Sequence, residues 1–198
     1  MEDIYEQVHV IRRNGKLEYR CAYQSFGYEL GVMPQETGSL DHAVESMMVH
    51  YKENGRKLMP GSRFEGNTFV AATEDEARQY WRTRAEDIAA TEEEDRFYDL
   101  DAFRDSVLKV SVDPYKHLLL KAEVTMLTSA ADYVTHELDL PLEMRLPFGD
   151  ERELDHLIDR VETIAEEGPI SSHDASAITA GLEYVKNLKF AYGHSSLR

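Results

Sequence analysis

The sequence predicts an α+β protein. An N-terminal antiparallel sheet with helices is followed by a C-terminal half that is helical around one long central helix. Three observations carry that expectation. Asn14-Gly15 splits an alternating apolar run, and this pair is preferred in two-residue type I′ hairpins. Residues 113–140 show two adjacent apolar stripes at helical spacing. Beyond them come two further capped helical patterns and no strand pattern. The expected organisation is a mixed α/β lobe over residues 1–112 and a helical lobe over 113–198. The second lobe should pack on the first to give one compact unit.

The hairpin should run over residues 6–23. Its turn sets Arg13 opposite Lys16, Val10 opposite Tyr19 and Val8 opposite Cys21. Val8, Val10, Leu17, Tyr19 and Cys21 then share the face expected to be buried. His9, Ile11, Glu18 and Arg20 fall on the other face. Residues 23–33 continue as a candidate strand, interrupted by Gly27 and Gly31.

Ser39 is placed to cap a helix reaching Glu53, with Leu40, Ala43, Val44, Met47, Met48 and Tyr51 as its apolar stripe. Asn54-Gly55 ends it. The stretch NGRKLMPGSRFEGN reads as a surface connection and holds the basic side chains Arg56, Lys57 and Arg63. Residues 68–72 suggest a strand. Thr73 with Glu76 three residues on is a capping box for a helix carrying Ala77, Tyr80, Trp81, Arg84 and Ile88. Residues 107–112 alternate as a strand should, with Leu108, Val110 and Val112 on one face.

In the long helix, Asp113 suits the N-cap, Pro114 the first helical position and Pro141 the stop. Lys116, Lys121, Glu123, Asp132 and Glu137 interrupt its apolar faces, which excludes a transmembrane reading. After a turn-rich link with Pro147 and Gly149, Asp150 and Glu153 open the next helix. Leu154, Leu157, Ile158, Val161, Ile164 and Ala165 are its stripe, and Gly168-Pro169 ends it. Ser172 opens the last helix, with Ala175, Ile178, Leu182, Val185 and Leu188 inward.

Charge bounds the partners. The net charge is −16, which argues against nucleic acid and anionic membrane surfaces and favours basic partners. Residues 1–63 are close to neutral. In 74–105 and 137–167 acids outnumber bases by roughly two to four to one. The single Cys21 excludes an internal disulfide framework and fits a reducing compartment. The start of the chain shows no basic-then-apolar signal segment, so the expected location is the cytoplasm of a cell or of an infected host.

Motifs for chemistry are missing. The eight histidines (His9, His42, His50, His117, His136, His156, His173 and His194) show no spacing that makes a metal site, and there is no HExxH and no Cys pair. No GxSxG, GxGxxG or GxxxxGK[ST] occurs. Cys21 on the inward hairpin face reads as an inert core thiol. No cofactor and no metal is assigned.

GNTFVAATEDEARQYW (66–81), followed by SVLKVSVDP (106–114), resembles a piece of ADP-ribosyltransferase-like domains: a strand, a Thr-capped helix with Glu-Ala and an aromatic, then a strand ending in Val-Asp-Pro. The resemblance spans about a quarter of the chain. It implies an enzyme acting on NAD or another nucleotide, with the basic loop Arg56–Arg63 near the phosphates. The family's catalytic Arg or His on an early strand, its Ser or Tyr and its late Glu find no match here. His50-Tyr51 falls on a predicted helix, and no late strand carries a Glu. No catalytic residue is therefore carried over.

The leading expectation is a small acidic, non-enzymatic protein that binds and modulates or inhibits a protein partner with a basic surface, as small acidic inhibitors of phages and mobile elements do. The candidate interaction residues are Glu92, Glu93, Glu94, Asp95, Phe97, Tyr98, Asp99 and Asp101, with Phe103 beside them. Seven acids against two arginines in residues 91–105 supply the charge, and the aromatics are the expected anchors. A homo-oligomer built on the broad face of the long helix is a further option.

Overall fold

In the computed structural model, residues 4–25, 37–54, 59–93, 96–112, 118–136 and 151–187 are described. The elements in order are β1 (Ile4–Arg13), β2 (Lys16–Ser25), α1 (Leu40–Asn54), β3 (Arg63–Glu65), β4 (Thr68–Val70), α2 (Glu74–Thr91), β5 (Phe97–Asp99), α3 (Leu100–Val110), α4 (Lys121–His136), α5 (Glu151–Glu166) and α6 (Ser172–Lys186). The fold is α+β. The chain divides into two compact units, one of residues 1–11 and 16–97, the other of residues 12–15 and 98–198.

The strand β1 is the middle one of a three-stranded sheet ordered β2-β1-β5. Val10 N–H donates to the Arg96 carbonyl at 2.8 Å, and Tyr19 exchanges backbone hydrogen bonds with Gly38. Asn14 and Gly15 have φ of +51° and +71°, as a type I′ turn requires at both central residues. Val8, Val10 and Cys21 are buried as expected, but Leu17 is exposed. The opposite face is not the wet one the alternation suggested: Ile11, Arg13 and Arg20 are buried too. A strand covered on both sides loses the inside-outside code that alternation provides.

The helix α1 begins where Ser39 predicts, with Ser39 Oγ accepting from His42 N–H. Its stripe of Ala43, Val44, Met47, Met48 and Tyr51 packs in one cluster with Ala77, Trp81, Ala85 and Ile88 of α2. At α2 both halves of the capping box are present between Thr73 and Glu76. The supposed surface connection before α2 contains a hairpin: β3 and β4 pair antiparallel, and the strand expected over 68–72 is only Thr68–Val70.

In the second unit, α3 packs against α6 and α4, and α5 against α6. The strand expected at 107–112 is a correction. Residues up to Val110 are helical, with Asp99 as N-cap accepting from Ala102 N–H. The buried residues Leu100, Phe103, Val107 and Val110 step by three or four, whereas Leu108 and Val112 are each 58% exposed. Alternation over six residues could not distinguish these periods, and the cap decides for helix.

The long helix also begins later than Asp113. Leu118–Leu120 are not helical, and α4 starts at Lys121. Leu120 N–H donates to the Glu123 carboxylate at 2.6 Å, which caps the helix from within its first turn. Arg160 of α5 donates to the Leu118 carbonyl at 2.8 Å and holds the preceding turn. Asp113, Pro114, Lys116, Leu138 and Pro141 lie outside the described residues, as do Gly27, Gly31, Pro147, Gly149, Asp150 and Leu188. The helix α5 buries its predicted stripe from Leu154 to Ile164 and ends at Gly168, where φ is +95°. Ser171 Oγ accepts from Asp174 N–H to start α6.

Candidate functional site

The residues singled out in the acidic segment fall in both units, Glu92, Glu93 and Phe97 in the first and Tyr98, Asp99, Asp101 and Phe103 in the second. Glu92 is the left-handed C-cap of α2 and is exposed. Glu93 bonds Arg84 at 2.7 Å, and this guanidinium holds its carboxyl below the usual range. Glu94 and Asp95 lie outside the described residues. Phe97 packs, half-buried, against the core cluster of the first unit.

In the second unit, Tyr98 is buried with its ring centroid 5.1 Å from that of Tyr184. Phe103 is fully buried. Asp99 caps α3 and also accepts from Arg12 at 2.5 Å. Asp101 accepts from the backbone N–H groups of Asn14 and Gly15, each at 2.8 Å. Asn14 Nδ2 donates to the Thr135 carbonyl. The Asp101 carboxylate satisfies two backbone N–H groups of the hairpin turn.

Acidic groups face solvent elsewhere. Arg78 and Arg82 of α2 meet carboxylates of α1 and of the first turn of α2. Arg78 pairs with Glu45 of α1 at 2.7 Å and reaches Glu74, and Arg82 pairs with Asp41 of α1 at 2.7 Å. On α5, Glu151, Asp155, Asp159, Glu162 and Glu166 recur every three or four residues and line one stripe. Asp155 and Glu151 lie 2.7 and 3.5 Å from Lys186 of α6, and their combined field raises the Lys186 pKa, with the Asp155 hydrogen bond first among the causes. Glu153, Asp159, Glu162 and Glu166 are all exposed. Asp159, Glu162 and Glu166 follow one another at spacings of three and four residues and continue the Glu151–Asp155 stripe, whereas Glu153, nine residues before Glu162, lies on the opposite side of the helix. Sequence reasoning included them in a charged run, but nominated the segment around residue 95 instead, because its aromatics looked available. Burial of Tyr98 and Phe103 removes that reason.

The remaining chemistry-bearing side chains are separate. Burial pushes the Cys21 thiol up to about 12, so it carries almost no thiolate near neutrality. Burial first, then the charges of Arg20 and Arg96, lowers His9 to about 4. His42, His156 and His173 are exposed. Among the described residues no group of three or more His, Cys, Asp or Glu side chains converges to hold a metal ion. In the basic loop Arg63 pairs with Glu65 at 2.8 Å, while Arg56 and Lys57 lie outside the described residues. The strand and Thr-capped helix that resemble ADP-ribosyltransferase-like domains are present at 68–91, but the segment 106–110 that should be their next strand is helix. Among the described residues no helix is long and apolar enough to cross a membrane.

Comparison with protein-family models, with curated proteins and with solved structures gives no match to this chain.

Proposed function

We propose that the chain is a non-enzymatic interaction protein that binds, and thereby modulates or inhibits, a protein partner with a basic surface. The observation that supports this reading best is the acidic stripe of α5, where Asp159, Glu162 and Glu166 face solvent in line with the Glu151 and Asp155 carboxylates that Lys186 meets. A helix face of one sign, on a chain of net charge −16, attracts cations over about a Debye length and speeds encounter with a lysine- or arginine-rich surface. Specificity then depends on apolar contacts, since exposed ion pairs contribute little each.

The test is capture from cell extract at low salt, identification of the bound protein, and titration of the purified pair. Affinity should fall by at least about tenfold between about 0.05 M and 0.5 M salt. The triple variant Asp159→Asn, Glu162→Gln, Glu166→Gln should weaken binding at low salt and flatten the salt dependence. Affinity that is indifferent to both salt and this variant removes the reading.

A further inference from the structure

The short hairpin β3–β4 is built unlike the rest of the fold. Its register pairs Arg63 with Val70, Phe64 with Phe69 and Glu65 with Thr68. Gly66 takes φ +64°, the first central position of a type II′ turn. In such a hairpin Glu65 and Thr68 are the hydrogen-bonded pair next to the turn. The following pair, Phe64 and Phe69, therefore turns its N–H and C=O groups outward to the two edges. Among the described residues no third strand joins this sheet. A two-stranded ribbon is marginal alone, and open edges are ready to pair with another chain.

Its two faces differ in chemistry. One carries Phe64 and Phe69, 62% and 40% exposed, with their rings edge-to-face at 5.3 Å. The other carries Arg63, Glu65, Thr68 and Val70, with Arg63 and Glu65 paired. The ribbon rises from the start of α2, because Ser62 Oγ accepts from Ala72 N–H at 3.0 Å. That first turn bears Glu74, Asp75 and Glu76, and the Asp75 side chain is 97% exposed. Hydrogen bonds from Thr73 and, more weakly, the charge of Arg63 lower the Glu76 pKa, so this carboxylate lies within electrostatic reach of the Arg63 face. The ribbon thus presents an aromatic face, while its other face, where Arg63 and Glu65 balance, adjoins the α2 first turn, whose Glu74, Asp75 and Glu76 outnumber Arg78.

We propose that an edge of the β3–β4 ribbon accepts an extended segment of a partner protein as a third strand, a segment that alternates apolar and basic side chains. Period-two alternation sends the apolar side chains to Phe64 and Phe69 and the basic ones to Glu65, Asp75 and Glu76. Main-chain hydrogen bonds to Phe64 or Phe69 supply affinity, and the two faces select the sequence. This rests on the reading of a basic protein partner and supplies its anchor, in place of the aromatics of residues 97–103.

The probe is an end-blocked synthetic peptide of alternating lysine and valine, fluorescently labelled and titrated against the full chain. Saturable binding is expected. Phe64→Ser with Phe69→Ser should weaken it by about tenfold or more, and N-methylation of alternate peptide amides should weaken it similarly. Both phenylalanines are exposed, so the variant should keep its fold, which Trp81 fluorescence checks. No saturable binding, or equal binding by the double variant or of the methylated peptide, overturns the proposal. The α5 variant of the preceding subsection separates the two ideas. Binding lost with the phenylalanines but kept in the α5 variant supports strand addition without the α5 face. Binding lost only in the α5 variant overturns strand addition and leaves the charge reading standing.

Discussion

Trp81 Nε1 donates a hydrogen bond to Tyr51 Oη at 3.2 Å, with both side chains buried, so the last turn of α1 and the middle of α2 are joined by a polar link inside an apolar cluster. A buried indole N–H deprived of its acceptor keeps the cost of its lost hydration. Tyr51→Phe should therefore destabilise the first unit by about 1–3 kcal/mol. Trp81 is the chain's one tryptophan, so its fluorescence in a urea titration reports that unit directly. A midpoint equal to that of the unaltered chain would show that the link adds no stability.

The Phe103 ring of α3 lies against Gly181 of α6. A Cβ built on Gly181 would lie 2.2 Å from Cγ of the Phe103 ring, so α3 and α6 can close only over a glycine. Gly181→Ala should cost about 1–3 kcal/mol even though alanine favours helix. Adding Phe103→Leu to that variant should recover part of the loss, with a coupling of at least about 0.5 kcal/mol. Additive effects in thermal unfolding followed by circular dichroism would count against the clash.

The features readable from sequence were those whose cause is local. The turn at Asn14-Gly15, the capping box at Thr73 and Glu76, and the end of α5 at Gly168 each depend on a few adjacent residues, and each stands as expected. The misreadings share one origin, which is burial decided by distant segments. Ile11 lies on the hairpin face expected to be wet and is fully buried. Val107–Val110 alternates like a strand, yet its helix is fixed by the Asp99 cap and by packing on α6. Tyr98 and Phe103 looked available in an acidic run because their cover, including Tyr184 and Gly181, comes some eighty residues later. Phe64 falls in the expected surface connection and Phe69 in the expected strand 68–72, and a three-residue strand is too short for alternation to reveal their pairing.

Asp101 gives a test of how the hairpin turn is held. Its two carboxylate oxygens accept from consecutive backbone N–H groups, one from Asn14 and one from Gly15. Asp101→Ala removes both acceptors, while Asp101→Asn keeps one oxygen. The expected loss is about 1–2 kcal/mol for alanine and less for asparagine. Amide exchange at Asn14 and Gly15 should quicken in the same order. Unchanged exchange in the alanine variant would mean that solvent serves these groups equally well.

The first unit should weaken in acid before the carboxylates titrate. His9 has a folded pKa of about 4, against an ordinary value of 6.5, because burial and the charges of Arg20 and Arg96 oppose its protonation. Between those values the unfolded chain binds a proton that the folded chain refuses. Stability is then complete above pH 6.5 and falls as pH drops toward 4, at up to about 1.4 kcal/mol per pH unit. Asp174 behaves differently. Hydrogen bonds from Lys109, Ser171 and Ser106 hold its pKa at about 2, so its contribution is present above 3.8 and is lost only between 3.8 and about 2. Urea midpoints read from Trp81 between about pH 7 and about pH 4.5 should therefore slope downward in the unaltered chain. His9→Gln should flatten that slope, and Asp174→Asn should leave it in place. A slope that persists in His9→Gln would assign the acid sensitivity to a different group.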